Sequence, residues 1–154
     1  MPCIFCDIVS GKQKSYTVWE TDTHLAFLSI YPNTKGVTVV IPKEHYTSYV
    51  FEQPDNVISD LMNVCKEVAE LLDTKLNVGR TALVFEGYGV NHLHAKLFPL
   101  HGTSKESWTP IKSNVDTYFE KYAGFLSTND SNLATDDELQ SVLNTLGRYP
   151  RGRI

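Results

Sequence analysis

The chain has 154 residues, 42% of them apolar and 21% charged, with a formal net charge of −4, which suits one soluble domain able to bury a real core. That balance excludes a general nucleic-acid coat, which needs a basic surplus to neutralise phosphates. No apolar run approaches the roughly 18 residues of a membrane span, M-P-C-I-F-C-D is no secretory leader, and three cysteines argue for a reducing, cytoplasmic setting over a disulfide framework.

In chain order, a short apolar turn leads into the polar loop Ser10-Gly11-Lys12-Gln13-Lys14-Ser15. Thr17 to Glu20 and Leu25 to Ile30 are short runs with β-branched and aromatic residues, and read as strands. Tyr31 to Gly36 carries Pro, Asn and Gly at turn spacing. Val37 to Ile41 is the clearest strand, ended by Pro42, which cannot donate to a ladder. The clearest helix lies within 54–76: Val57, Ile58, Leu61, Met62, Val64, Cys65, Val68, Leu71, Leu72 and Leu76 recur at helical spacing, with Asp55 as its expected cap. Cys65 falls on that apolar side and reads as a small buried hydrophobe. Gly79 breaks the chain, Thr81 to Phe85 is a strand, 86–89 a turn, and Asn91 to Phe98 a last strand. Thr103 to Ser113 is a polar loop. Val115 to Leu126 and Asp136 to Leu146 are expected helices, the second capped by Thr135 or Asp136, followed by a basic tail. His24 is expected at the surface. The pattern is α+β: an antiparallel sheet of about five strands, one long helix, and C-terminal helices.

The chemistry concentrates in G-V-N-H-L-H-A-K-L-F-P-L-H-G, residues 89–102. On a strand, alternate side chains share a face. His92, His94 and Lys96 then project to one side at intervals of about 6.6 to 7 Å, a row of nitrogens that a phosphate could bridge. A neutral imidazole attacks phosphorus without first losing a proton, and the phospho-imidazole formed is labile. By itself H-x-H-x-K is a weak signal and fits a solvent-facing polar strand better than a site. Cys3 and Cys6 form C-x-x-C, which alone could be a redox pair, half of a zinc site, or chance.

The segment resembles the His-φ-His-φ-His-φ-φ signature of the histidine triad (HIT) family. C-I-F-C-D-I-V-S-G-K (3–12), H-L-A-F-L-S-I (24–30) and G-V-T-V-V-I-P-K-E-H (36–45) are similar to the family's other blocks, in family order. The resemblance covers about residues 3–101. It implies one HIT-like domain over 1–154, with a core at 3–101 and a helical extension at 103–154. It also implies a nucleotide hydrolase or nucleotidyl transferase, usually a homodimer. His94 would be the nucleophile toward the α-phosphorus, with His92 and Lys96 beside it. Ile4, Phe5 and Ile8 match base-pocket positions, and Ser29 and Ile30 match positions beside the ribose. Gly87, Gly89 and Val90 match the loop that approaches phosphate. Members opening with C-x-x-C imply a structural zinc site of Cys3, Cys6, His45 and His92; no organic cofactor is implied.

Three positions depart from the family. Lys96 replaces the third histidine, Ser29 stands where many members have an aspartate, and Gly89 lacks a serine hydroxyl. Broader relatives tolerate a non-histidine at the third position, so the nucleophile survives while leaving-group handling changes. His101 could supply an imidazole but reads as a loop residue, and Arg151 and Arg153 are candidate substrate contacts. A non-catalytic nucleotide-binding or sensing module, and a zinc-stabilised interaction protein, are the rival readings.

Overall fold

The structure, a computed structural model describing residues 2–147, opens with a helix, α1 (Ile4–Val9), where the sequence suggests only an apolar turn. Six residues are too few to display a helical period. Phe5, Ile8 and Val9 pack against Leu25, Phe27, Val39 and Ile41. Arg151 and Arg153 lie outside the described residues. The chain divides into two compact units, Met1–Trp108 and Thr109–Ile154.

The first unit holds five strands: β1 (Thr17–Glu20), β2 (His24–Leu28), β3 (Thr38–Pro42), β4 (Thr81–Val84) and β5 (Ala95–Pro99). They form one sheet in the order β1-β2-β3-β5-β4, every pair antiparallel. Pro42 closes β3 opposite His24. Helix α2 (Asp55–Leu76) lies between β3 and β4 in sequence and buries Val57, Leu61, Cys65, Val68 and Leu72. Those residues meet Ala26, Val40, Ala95, Leu97 and Leu93 in one core cluster. Each fully buried side chain of this kind contributes about 1.5–3 kcal/mol. The sheet is thus covered on both faces, by α2 on one and α1 on the other. This explains why β2 and β3 read as continuous apolar runs rather than alternating ones.

Several boundaries differ from expectation. Asp55 is the first residue of α2 rather than its cap; Pro54 takes the cap position and offers no side-chain hydrogen bond. The helix ends through Asn77 in the left-handed region (φ 53°). Gly79 serves a close approach instead: a Cβ there would collide with the backbone of Ser104, whose neighbour Thr103 accepts the Gly79 N–H at 3.1 Å. His24 is not a surface residue. It is 6% exposed, and Nδ1 lies 2.9 Å from Thr23 Oγ1.

In the second unit, α3 (Asp136–Leu146) forms as expected, with a capping box in which Thr135 and Glu138 satisfy each other's backbone N–H groups. The expected helix at 115–126 is absent; residues 109–134 carry no helix or strand. Val115, Tyr118, Phe119, Tyr122 and Phe125 do recur at helical spacing, but all are exposed. An amphipathic stripe without a surface to bury it gives little helix, and β-branched, aromatic and glycine residues (Val115, Tyr118, Phe119, Gly124) are poor helix formers.

Candidate functional site

The site forms where α1 crosses the sheet. Cys3 is the residue preceding α1 and Cys6 lies in its first turn, so one turn of helix brings the two thiols to the same side. His45 follows β3 by three residues. His92 precedes β5, and its ring is fully buried. His92 Nδ1 is 3.4 Å from Cys3 Sγ and 3.6 Å from Cys6 Sγ. His45 Nδ1 is 3.4 Å from Cys6 Sγ. The four ligand atoms all lie within 4.8 Å of one another.

A tetrahedral zinc ion with bonds of about 2.3 Å to sulfur and about 2.0–2.1 Å to nitrogen has S···N edges of about 3.5 Å, so the donor set fits. The histidine is prepared for it. His92 Nε2–H donates to the Pro42 carbonyl at 2.8 Å, which fixes the tautomer and turns the Nδ1 lone pair toward the sulfurs. Burial lowers the His92 pKa, with His45 and His94 adding to it and the Pro42 carbonyl opposing; the neutral, ligating form is favoured. Burial and the neighbouring Cys3 thiol push the Cys6 thiol up, a cost that a divalent cation reverses by taking both sulfurs as thiolates.

His94 is 3% exposed. Its Nδ1–H donates to the His92 carbonyl at 2.7 Å, which leaves Nε2 with a free lone pair. Burial lowers its pKa; the backbone hydrogen bond and Glu86 oppose this, and Lys96 reinforces it. Phe5 packs edge-on against both rings, at 5.8 Å from His92 and 5.5 Å from His94.

The strand expected over 91–98 is shorter. His92 and His94 precede the ladder: Leu93 N–H donates to the Tyr46 carbonyl, and His92 N–H closes a tight turn onto Val90. The three nitrogens share one face as expected, here the α1 side, but the two imidazoles precede the strand and are buried, while the Lys96 ammonium, within it, is partly exposed. Lys96 Nζ lies 3.7 Å from Glu86 Oε2. Glu86 is the residue that sequence reasoning missed. Glu86 lies two residues past the end of β4, beyond the last pair of the ladder, Val84 with Lys96, and no local pattern in the sequence marks it.

The expected nucleotide-contacting residues divide. Ile4, Gly89 and Val90 line one cavity of about 380 Å³ together with Pro2, Cys3, His45 and Asn91. Gly87 and Gly89 have φ of 76° and 92°, a region in which glycine is favoured, and the Gly87 carbonyl accepts from Ser48 Oγ. Phe5 and Ile8 instead pack on the sheet. Ser29 Oγ accepts from Tyr31 N–H, and Ile30 is 68% exposed; neither lines that cavity. His101 is an exposed loop histidine bonded to the Lys35 carbonyl.

A family model described as the HIT domain matches residues 10–103. The chain belongs to the HIT family. Adenosine 5′-monophosphoramidase of Schizosaccharomyces pombe is 36% identical over 104 residues, 64% of this chain and 74% of that protein. A Zn-bound histidine triad family protein from Mycobacterium smegmatis superposes with a TM-score of 0.61 at 27% identity, over 70% of this chain and 81% of that one. A HIT family member from Bacillus subtilis superposes with a TM-score of 0.63 at 25% identity, over 95% of each chain. The five-stranded antiparallel sheet with its helices is the HIT fold. The Cys3-Cys6-His45-His92 cluster of this HIT protein is compatible with zinc. Among the described residues, no helix is long and apolar enough to cross a membrane.

Proposed function

We propose that this HIT protein hydrolyses or transfers a nucleotidyl group through a covalent intermediate on His94. The reading rests on one observation: a buried imidazole whose Nδ1 is committed to the His92 carbonyl and whose Nε2 is free. Nε2 attacks the α-phosphorus of a nucleotide ester, amidate or anhydride; the leaving group departs, and water or a second acceptor displaces His94. The His92 carbonyl holds the ring and stabilises the positive charge it gains on attack. The glycine-rich turn at 87–90 offers backbone N–H groups to phosphate, and Ile4 and Val90 supply an apolar wall for the base. Cys3, Cys6, His45 and His92 would hold zinc, which ties α1 to the sheet. With four protein ligands no position is open to substrate, so His92 serves as ligand rather than proton carrier. The family's homodimer is the expected assembly.

The experiment is denaturing mass spectrometry of protein mixed with adenylyl and guanylyl amidates, dinucleoside polyphosphates and nucleotide sugars. A nucleotidyl adduct on wild type, lost in His94→Ala along with at least about 10³ in kcat, is the expected result. Turnover unchanged in His94→Ala rules out the nucleophile. Binding of a mononucleotide with no turnover of any substrate favours the binding module, which the replacement of the third histidine by an ion-paired lysine otherwise supports.

A further inference from the structure

Resting on the His94 reading, we propose that the Glu86–Lys96 pair determines which leaving groups this protein accepts. It favours groups that depart from phosphorus as stable anions, such as a phosphate, over amines and alkoxides that must gain a proton as they leave. Lys96 stands two residues beyond the nucleophile; it pairs with Val39, in the cluster that Phe5 packs on, and Phe5 touches the His94 ring, so both lie on the α1 face. Glu86, just past the end of β4, meets the ammonium at 3.7 Å. An ion pair this long and half-exposed contributes under about 1 kcal/mol to stability. What it provides on this reading is a cation on the sheet face that carries the nucleophile. Lys96 acts on the leaving group, and Glu86 is a positioning residue acting through Lys96.

The chemistry follows from the two side-chain types. The Nε2 lone pair of His94 forms the N–P bond while the P–O bond to a leaving phosphate breaks, its electron pair remaining on that oxygen. The departing phosphate bears that charge unaided, and an ammonium lowers the barrier by neutralising it, with no proton transferred. Water then attacks phosphorus, the N–P bond breaks, its pair returns to Nε2, and a water proton passes to solvent. With an amidate, the P–N pair would collect on a nitrogen too basic to leave unprotonated. An imidazolium is suited to supplying that proton near neutral pH. A lysine ammonium is not, the reference values being about 6.5 and 10.4.

The test is the dependence of kcat/KM on leaving-group acidity, using adenosine and guanosine 5′-aryl phosphates with phenols of graded pKa. Wild type and Lys96→Arg should share a steep dependence. Lys96→His should flatten it and raise the ratio of phosphoramidate to anhydride turnover by about a hundred-fold, the lower end of what general acid catalysis provides. Glu86→Gln, which keeps the size of the side chain, should lower kcat for the most acidic phenol by about ten-fold with KM unchanged. Parallel dependences in wild type and Lys96→His, or an unchanged kcat in Glu86→Gln, overturn the inference while His94→Ala stays inactive. Activity retained in His94→Ala, or no turnover of any ester by wild type, overturns the reading beneath it.

Discussion

The two faces of the sheet are built on different principles. On one, the 22-residue α2 lays five buried side chains against Ala26, Val40, Leu93, Ala95 and Leu97. On the other, α1 has six residues, none of them fully buried, yet that side carries Cys3, Cys6, His92, His94 and Lys96. A helix of six residues is far too short to persist on its own propensity. The long helix is held by apolar area; the short one packs through Phe5, Ile8 and Val9 alone, and on the proposed reading zinc would add a cross-link. The chemistry lies on the face whose packing is weakest, where polar groups displace little core.

The largest test of that contrast is removal of metal. Chelation, or Cys6→Ala, should release α1 and lower the melting temperature; taking the loss as about 3 kcal/mol, the shift is roughly 6–12 °C in a chain of this length. Protein purified without chelator should contain one zinc per chain. No zinc, with unchanged melting and activity, would remove the cross-link from the account. On the opposite face, Leu61→Ala should cost about 2–5 kcal/mol whether or not metal is present, because Leu61 is wholly buried against the sheet. Denaturant unfolding of the four combinations measures whether the two faces add independently.

Much of this division was legible in the residues. The spacing of Val57, Leu61, Cys65, Val68 and Leu72 gave α2 and its buried side, and four of the five strands fell within two residues of expectation. C-x-x-C, His45 and His92 could be named as one ligand set only through the resemblance, since no local rule joins positions 3, 45 and 92; the fold then brings their atoms together. What could not be read has a local cause in each case. Helix α1 is shorter than two turns. The stripe at 115–126 had the right period but is built from poor helix formers, Val115, Tyr118, Phe119 and Gly124. His92 and His94 sit before the ladder because Leu93 bonds Tyr46 rather than a neighbouring strand. Glu86 was hidden because its contact with Lys96 joins a loop to a strand ten positions away, which no single segment displays.

Cysteine chemistry sharpens the comparison with one reagent. Cys65, on the α2 face, has its thiol pushed up to about 12 by burial, so near pH 8 almost none of it is thiolate, the reactive form. Iodoacetamide should therefore label Cys3 and Cys6 in chelated protein, neither in the zinc form, and Cys65 only after unfolding. Peptide mapping reads all three positions at once. Labelling of Cys65 in the folded, zinc-loaded protein would show that the α2 face opens as readily as the α1 face.

The smallest expected effect concerns His24, the buried histidine on the α2 side. It lines a cavity with Asp22, Lys43, Glu44, Tyr46, Asn56 and Asp60. Burial lowers its pKa and Asp60 partly opposes this. A histidine whose folded pKa is depressed binds its proton more readily in the unfolded chain. Its contribution to stability is therefore complete above the unfolded value of about 6.5, and is lost as pH falls through that value toward the folded one. Wild type should lose melting temperature between pH 7.5 and 5.5, and His24→Asn, which can keep a hydrogen bond to Thr23, should lose less. Measuring both with zinc bound cancels the shared titration of the α1-side histidines, leaving the difference to His24. Equal slopes would mean that Asp22, Glu44 and Asp60 compensate its burial in full, and that this histidine is as easily charged inside the fold as outside it.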